Sequence, residues 1–409
     1  MQSVALKGAM FMPIVDLERL MRPRNGGHQP VTSIELFFDL VFVFAITQLS
    51  HLLIDHLNPA GAFQTVILLM AIWVAWMYTT WMTNQFDPDR IPVRLLLIGV
   101  MLISLIMSSA IPHAFTDRAL MFAVSYVAIQ MGRPLVILLM IGKDSSLSTT
   151  FQGIVSWAGS AGVLWILGSQ AEGTARTGIW VVALPIELTG PFVGYRFPGI
   201  GRSTTTDWNV EGHHIAERCQ LFLILAFGES ILVTGLTFGN LGPDVITIVA
   251  FATAFIGSVA LWWIYFHRGA DLGAEAIASS DDPGRFARSV YSYAFVLLIA
   301  GVITIAVADE LVIVHPRGDV DTPTIWVLLG GTALYLLGNA LIVWMLTHRI
   351  AGSLLVAVVA LGLLGLVASR FTPLGLSMAC AAIALATAAW EVIGFRHSPA
   401  TGQEAMSET

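Results

Sequence analysis

Charged residues are scarce in this chain of 409 residues, of which they make up 11%. A soluble globular protein carries about 25%. The net charge of −7 provides no basic patch, so no nucleic-acid partner is expected. Cysteine is equally sparse, since Cys219 and Cys380 are the only two and both lie in apolar stretches. Neither a disulfide framework nor a thiolate metal site is therefore expected.

Short motifs that are typical of many enzymes and channels are also missing. The sequence has no P-loop, no dinucleotide fingerprint, no H-E-x-x-H pair, no G-x-S-x-G elbow and no T-V-G-Y-G filter. The spacing of His213, His214 and Glu217 can place two ligands on one metal, but no second matching pair accompanies them. We expect no enzymatic activity, no cofactor and no metal site.

Apolar residues dominate what is present, at 56% of the chain, with a mean hydropathy of +0.78. A helix that spans a lipid bilayer needs about 20 consecutive apolar residues, and runs of this length recur along the whole sequence. They predict an all-α, polytopic membrane helix bundle. About twelve spans are expected, near residues 32–54, 61–84, 92–112, 118–141, 150–169, 177–197, 211–237, 244–267, 286–311, 323–347, 351–369 and 373–395.

The basic residues indicate how these spans are oriented. If the N-terminus is cytoplasmic, fourteen of the twenty Lys and Arg residues lie on or near the cytoplasmic side. Four lie on the outside, namely Arg118, Arg176, Arg317 and Arg370. The remaining two, Arg133 and Arg218, lie within spans. Loops rich in Lys and Arg stay in the cytoplasm, so the asymmetry favours twelve spans with both termini inside.

The two halves of the chain resemble each other. Glu35 and Glu217 are 182 residues apart, as are Trp81 and Trp263, and later pairs match at larger offsets. This pattern predicts a parallel repeat of six spans plus six. The expected organisation is a cytoplasmic N-terminal segment, a first repeat, a cytoplasmic linker, a second repeat and a cytoplasmic tail, at residues 1–31, 32–197, 198–210, 211–396 and 397–409.

Two carboxylates stand near the start of the first span. Glu35 and Asp39 are one helical turn apart, so they share one face of the helix. A charge in the bilayer is costly and usually faces the protein interior. We expect both carboxylates to lie inside the protein near Arg133 or Arg218, either in a structural ion pair or on a pathway for protons or a solute.

Span seven carries further charges. His214, Arg218 and Glu229 fall on one face of its helix, with Glu229 deepest and no other charge within ten residues of it. Gly228 would let a helix or a ligand approach closely. Glu217 points away from Arg218 and needs another partner. We take Glu229 as the leading candidate for a functional carboxyl, with a hydrogen-bonded structural Glu as the alternative.

Span six contains a carboxylate between two prolines. Pro185 and Pro191 bracket Glu187, and interrupted helices line substrate sites in many transporters. A kinked structural helix is the equal alternative. Arg133, which precedes Pro134 in span four, is expected to be a structural counter-ion.

These stretches resemble a known family. "ELFFDLVFVFAITQLSHLL" (residues 35–53), "TWMTNQFDPD" (80–89), "HIAERCQLFLILAFGESIL" (214–232) and "LWWIYFHRG" (261–269) are similar to the bacterial low-temperature-requirement A family. The resemblance implies a multi-pass membrane protein, named for a growth phenotype in the cold, and implies no substrate. The motif residues that it carries over are Glu35, Asp39, Asp87, His214, Glu217, Arg218, Gly228 and Glu229.

A second likeness covers the first span alone. "FFDLVFVFAIT" (residues 37–47) resembles the F-S-D first helix of the endolysosomal potassium and proton channel family, whose long form has two six-helix repeats. Phe38 stands where that motif has Ser, and span seven has no such motif. This resemblance therefore implies no equivalent pore.

The function expected is that of a proton-linked transporter or channel for a small solute or ion in the bacterial inner membrane. A non-transporting membrane sensor or assembly factor for cold or stress adaptation is one alternative, and an intramembrane enzyme is another. A homo-oligomer is compatible with each. The pathway residues expected are Glu35, Asp39, Glu187, His214, Glu217, Arg218, Gly228 and Glu229.

The asymmetry of basic residues makes a testable prediction about topology. Reporter fusions should give the outside signal when placed after residues 57, 114, 172, 240, 318 and 371, because each follows an odd-numbered span. Alkaline phosphatase and green fluorescent protein fusions measure the two sides. A consistent inside signal at position 240 would contradict the twelve-span arrangement.

Overall fold

The computed structural model describes residues 17–24, 29–142, 145, 147–203, 210–242, 244–267 and 288–396. Within these residues, twelve helices of 14 residues or more coincide with the twelve predicted spans. They are α1 Ser33–Asp55, α2 Pro59–Gln85, α3 Ile91–Ala110, α4 Ala119–Ile141, α5 Ser148–Gln170, α6 Gly173–Thr189, α7 Gly212–Leu241, α8 Val245–Phe266, α9 Val296–Val314, α10 Thr322–Thr347, α11 Gly352–Gly365 and α12 Pro373–Arg396.

Length and composition show that the protein is an integral membrane protein. Ten of the helical segments in the described part of the chain are long and apolar enough to cross a bilayer. The other two helices, α6 and α11, are shorter, at 17 and 14 residues. The prediction of an all-α polytopic bundle is confirmed.

Local sequence explains where several helices begin. The side chain of Asn58 accepts hydrogen bonds from the backbone N–H groups of Ala60 and Gly61, and Pro59 occupies the first position of α2. Asp321 accepts from the N–H of Thr324 at the start of α10. Short polar side chains satisfy the backbone N–H groups that the first helical turn leaves unpaired, so they fix where these helices begin.

The chain divides into two compact units. Unit 1 comprises residues 1–225 and 277–296, and unit 2 comprises residues 226–276 and 297–409. These bounds differ from those of the predicted repeats, and the repeats stay a prediction. Residues 204–209 of the predicted linker and the tail 397–409 lie outside the described residues.

Unit 1 is built on α1 and α2. Helix α1 packs against α2 and α3, the chain continues through the neighbouring pairs α3–α4, α4–α5 and α5–α6, and α2 also contacts α4 and α6. A Cβ at Gly168 would lie 2.5 Å from the ring of Trp180, so α5 and α6 touch closely there. The outer face of α1 exposes Phe37, Leu40 and Phe44, as expected for a lipid-facing surface.

Unit 2 packs α8 against α12 and α10 against α11 and α12. Helices α9 and α10 approach closely at Gly301, where a Cβ would lie 2.8 Å from the Cβ of Tyr335. The hydroxyl of Tyr335 donates to the carbonyl of Leu261 on α8 at 3.0 Å. Small residues at such crossings are typical of helix packing in membranes.

Candidate functional site

Five ionisable side chains of unit 1 meet where α1 begins, and we call them the charge cluster: Arg22, Glu35, Asp39, His214 and Arg218. The last four are 0% exposed and Arg22 is 6% exposed. They come from the segment before α1, from α1 itself and from the start of α7.

Arg218 is the centre of the charge cluster. Its Nη2 lies 2.5 Å from Oδ1 of Asp39, and its Nε donates to Oδ2 of the same carboxylate at 3.2 Å. Its Nη1 donates to Oε1 of Glu35 at 3.1 Å. The guanidinium therefore holds two carboxylates that are one helical turn apart, and the planar fork suits such two-point binding.

Glu35 collects donors from three directions. Arg22 Nη2 and His214 Nε2 each lie 2.9 Å from its carboxylate. The backbone N–H and the hydroxyl of Thr32 also donate to it, which forms a capping box at the start of α1. Asn84 on α2 contacts His214 Nδ1 at 3.1 Å. With Nδ1 accepting from Asn84, the proton of a neutral imidazole lies on Nε2 and points at Glu35.

Aromatic side chains enclose the charge cluster. The indole N–H of Trp76 donates to Asp39 at 2.7 Å, and the Arg218 guanidinium lies 5.8 Å from the ring centres of both Phe38 and Trp76. Cations over aromatic faces gain electrostatic stabilisation. Sequence reasoning did not assign Trp76 to this cluster, since a tryptophan in an apolar run carries no signal of a carboxylate partner.

The charges of the cluster balance when His214 is neutral, because two guanidiniums face two carboxylates. The expected interior position of Glu35 and Asp39 near Arg218 is confirmed. Arg22, which sequence reasoning did not single out, joins them because its segment packs against the end of α2, where its N–H donates to the carbonyl of Gln85 at 3.0 Å. A buried, charge-balanced cluster of this kind clamps the elements that carry it, and a pathway role for Glu35 and Asp39 stays a prediction.

A cavity of about 110 Å³ lies elsewhere in unit 1, and we call it the arginine cavity. Its polar lining comes from two arginines, three tyrosines and two serines. Residues Tyr78, Trp81, Met82, Arg133, Pro134, Phe151, Ile154, Pro191, Gly194, Tyr195, Ser203, Val210, Arg288, Ser292 and Tyr293 line it.

Arg133 contacts neutral groups in this cavity. It donates to the carbonyl of Ala75 at 3.1 Å, to the hydroxyl of Thr79 at 2.7 Å and to Oε1 of Gln130 at 3.1 Å. It is 4% exposed, and it forms no ion pair with any carboxylate of the described residues. Arg133 is therefore not the partner of Glu35 or Asp39, whose carboxylates pair with Arg22 and Arg218, and its role as a structural counter-ion stays a prediction.

Arg288 brings a second guanidinium to the cavity. Its Nη1 donates to the carbonyl of Pro191 at 2.9 Å, and its Cζ lies 4.9 Å from the ring centre of Phe192. Its Nε is buried without a hydrogen-bond partner among the described residues. Arg288 begins a π-helical segment, Arg288–Ala294, whose wider turns also place Ser292 and Tyr293 on the cavity. Such segments are rare and occur often at functional sites.

Glu187 is linked to the arginine cavity by hydrogen bonds. Tyr126 donates to its carboxylate, Gln130 donates to the Tyr126 oxygen at 3.3 Å, and Arg133 donates to Gln130. The hydroxyl of the cavity residue Tyr78 donates to the Glu187 backbone carbonyl at 2.9 Å. Helix α6 runs through Pro185 and ends at Thr189, so Glu187 lies in its last turn.

The backbone beside the cavity is strained. Tyr195 has a φ of +49°, a left-handed conformation that residues other than glycine rarely adopt. It follows Gly194 (φ +64°) after the end of α6. Such strain costs about 1–3 kcal/mol and clusters at binding sites. It aims the Tyr195 ring at the cavity.

The remaining predicted residues belong neither to the charge cluster nor to the lining of the arginine cavity. Glu217 accepts from the backbone N–H of Val31 at 3.3 Å and so caps the approach to α1. Glu229 is half-buried in unit 2, and its functional role stays a prediction. A Cβ at Gly228 would meet no atom of the described residues within 4 Å, so none of the described helices approaches there. The described residues contain no group of three or more His, Cys, Asp or Glu side chains that could hold a metal.

Removal of one cluster charge should destabilise the fold. Asp39→Asn keeps the side-chain volume but leaves a buried guanidinium without one of its counter-charges, so the free energy of unfolding should fall by about 3 kcal/mol or more. Asp244→Asn is the matched control, because Asp244 pairs with Arg317 in the open, at 56% and 66% side-chain exposure, and should cost about 0–1 kcal/mol. Thermal unfolding in detergent measures both. Equal stability of the two variants would contradict a buried clamp.

Comparison with known proteins identifies the family of this chain. The family model described as bacterial low temperature requirement A protein (LtrA) matches residues 30–389. The chain is 35% identical over 384 residues to an uncharacterized protein of Rhizobium meliloti (strain 1021), with 92% of each chain covered. No solved structure matches. On the family match over nearly the whole chain, this protein belongs to the bacterial low temperature requirement A family.

Proposed function

We propose that this membrane protein binds a small organic anion in the arginine cavity and carries it across the bacterial inner membrane. The observation that carries the proposal is the pair of guanidiniums, of Arg133 and Arg288, that line one cavity without a carboxylate partner among the described residues. In this proposal the expected transport takes place at the arginine cavity, and the transported solute is negatively charged.

Charge is the first support. A charged side chain inside a membrane costs about 2.5–3.5 kcal/mol, and such residues usually pair with one another or mark a substrate pathway. Arg133 donates to three neutral acceptors, and no carboxylate of the described residues contacts its guanidinium directly. Two such charges on one cavity create a site that favours an anion, and a guanidinium binds carboxylate or phosphate groups at two points.

The rest of the lining favours an anion with an apolar body. Trp81, Phe151 and Pro134 supply apolar surface beside the two guanidiniums. Ligand sites are commonly apolar with a few convergent polar groups that fix orientation. An aromatic or short aliphatic carboxylate can contact both the guanidiniums and the apolar surface of the cavity. A fully hydrated inorganic ion would interact with the guanidiniums alone.

Arg176 differs from Arg133 and Arg288 in its surroundings. It is also a buried arginine of unit 1, but it caps helix ends, donating to the carbonyls of Ala171 at 3.1 Å and Thr116 at 2.9 Å, and it lines no described cavity. A buried guanidinium with a capping role alone does not indicate a ligand. The cavity is what distinguishes Arg133 and Arg288.

Proton linkage is assigned to Glu187. The chain of donors from Arg133 through Gln130 and Tyr126 ends on its carboxylate, so a negative charge there is favoured while the cavity is positive. An arriving anion reduces that positive potential and favours protonation of Glu187. Anion and proton would therefore bind together, which is the requirement for symport of the two.

Uptake by proteoliposomes tests the anion site. Wild-type protein should accumulate radiolabelled benzoate, while Arg133→Gln and Arg288→Gln should each reduce uptake about tenfold or more, because a charge-assisted hydrogen bond contributes about 1.5–3 kcal/mol. Arg176→Gln, the matched buried arginine, should stay within about twofold of wild type on that scale. Acetate and inorganic phosphate serve as competitors that rank the anion class.

The outcomes decide between transport and its rivals. Equal loss in all three arginine variants would point to general destabilisation and contradict a site at the arginine cavity. Binding of benzoate, seen as a rise in Tm, without any uptake would favour the membrane sensor. Neither binding nor uptake of any of the three anions would overturn the proposal.

A separate prediction concerns the proton. Glu187→Gln keeps the shape and can still accept the hydrogen bond from Tyr126, but it cannot exchange a proton. The variant should keep benzoate binding yet lose the increase in uptake that an inward proton gradient drives in wild type. Glu172→Gln, an exposed carboxylate just before α6, is the control and should retain that increase. Gradient-driven uptake unchanged in Glu187→Gln would remove Glu187 from the mechanism.

A further inference from the structure

A second, smaller cavity lies within unit 2. It has a volume of about 30 Å³ and is formed by four helices, α8, α9, α10 and α12. Its polar lining consists of Asp309, Thr253, Thr332, Ser377 and Cys380, and small residues of α8 and α12 complete the walls. A water molecule needs about 10–15 Å³ of such space, so the cavity has room for about two particles of that size.

Asp309 is an ionisable group that no other observation explains. It lies on α9, is 5% exposed, and its Oδ2 is buried without a hydrogen-bond partner among the described residues. No ion pair with a described residue involves it either. A carboxylate in a membrane helix is costly and normally has a partner. Asp309 lines the cavity, so a partner for its carboxylate would lie in the cavity.

The hydroxyl groups around the cavity face it as acceptors. Thr253 donates its proton to the carbonyl of Val249 at 2.8 Å, and Thr332 donates its proton to the carbonyl of Leu328 at 2.9 Å. Because a hydroxyl has one proton and two lone pairs, both oxygens keep lone pairs for a ligand that donates or is positively charged. With Ser377 of α12 on the same lining, three helices bring hydroxyl oxygens to the cavity that Asp309 lines.

We propose that this cavity is a binding site for a monovalent cation of the Na⁺ class, held by Asp309 and the hydroxyls of Thr253, Thr332 and Ser377. Hard cations prefer oxygen ligands, and one carboxylate neutralises one charge. Divalent ions are disfavoured, since the described residues offer no cluster of carboxylates or imidazoles and Cys380 is the one other titratable group on the lining. The site is independent of the proposed anion transport.

The test uses the purified full-length protein in detergent, with NaCl replaced stepwise by choline chloride at constant ionic strength. A ligand that binds only the folded state stabilises it by mass action, so Tm should rise with Na⁺ and saturate. Equilibrium binding of ²²Na⁺ should give one site per chain. Asp309→Asn should lose the Na⁺-dependent rise and weaken ²²Na⁺ binding at least tenfold. KCl in place of NaCl ranks the two cations.

Glu391→Gln is the matched control. Glu391 is a buried carboxyl of unit 2 outside the cavity lining, and Ser353 donates a hydrogen bond to it. This variant should respond to Na⁺ as wild type does. If Asp309→Asn yields no folded protein, Thr332→Val replaces it and should weaken Na⁺ binding. The proposal is overturned if wild type shows no Na⁺- or K⁺-dependent rise in Tm, or if the cavity variant responds as strongly as Glu391→Gln.

Discussion

The two-point contact between Arg218 and the carboxylates of Glu35 and Asp39 is the interaction on which the organisation of unit 1 depends. All three side chains are fully buried, so none of their charges can be left to water. A buried charge that loses its partner costs far more than the pair gains, so the contact tolerates little displacement. It sets the start of α7 against α1, and through Trp76 and Arg22 it also sets α2 and the segment before α1.

This constraint separates two kinds of intramembrane charge. In the charge cluster every charge has a counter-charge, and the stabilisation depends on excluding water and solutes. The guanidiniums of Arg133 and Arg288 and the carboxylate of Asp309 have only neutral contacts, or none, among the described residues, and each lines a cavity. Burial alone does not distinguish the two kinds, whereas pairing does. Buried charges that lack a counter-charge among the described residues are therefore the ones that we propose to bind ligands.

Part of the site followed from sequence periodicity. Glu35 and Asp39 on one face of α1, with a basic partner from span seven, are a consequence of helical geometry and of the cost of burying charge, so Arg218 could be expected. Arg133 and Arg218 were equal candidates, because a sequence gives their depth along a span but not their distance from another helix. Arg22 and Arg288 lie next to span ends, where basic residues are normally exposed, and their sequence context carried no signal of a buried role.

The amino-acid sequence by itself determined the membrane class, the places of the twelve long helices of the described residues and the faces that must avoid lipid. Apolar length and helical periodicity are local properties, and bilayer thickness turns them directly into structure. Only the tertiary structure decided which charges neutralise each other and which line a cavity. Those pairings join residues such as Asp39 and Arg218, 179 positions apart, and depend on helix packing at a scale of a few ångströms. The π-helical segment at Arg288 likewise depends on packing, since no local pattern marks a single wide turn.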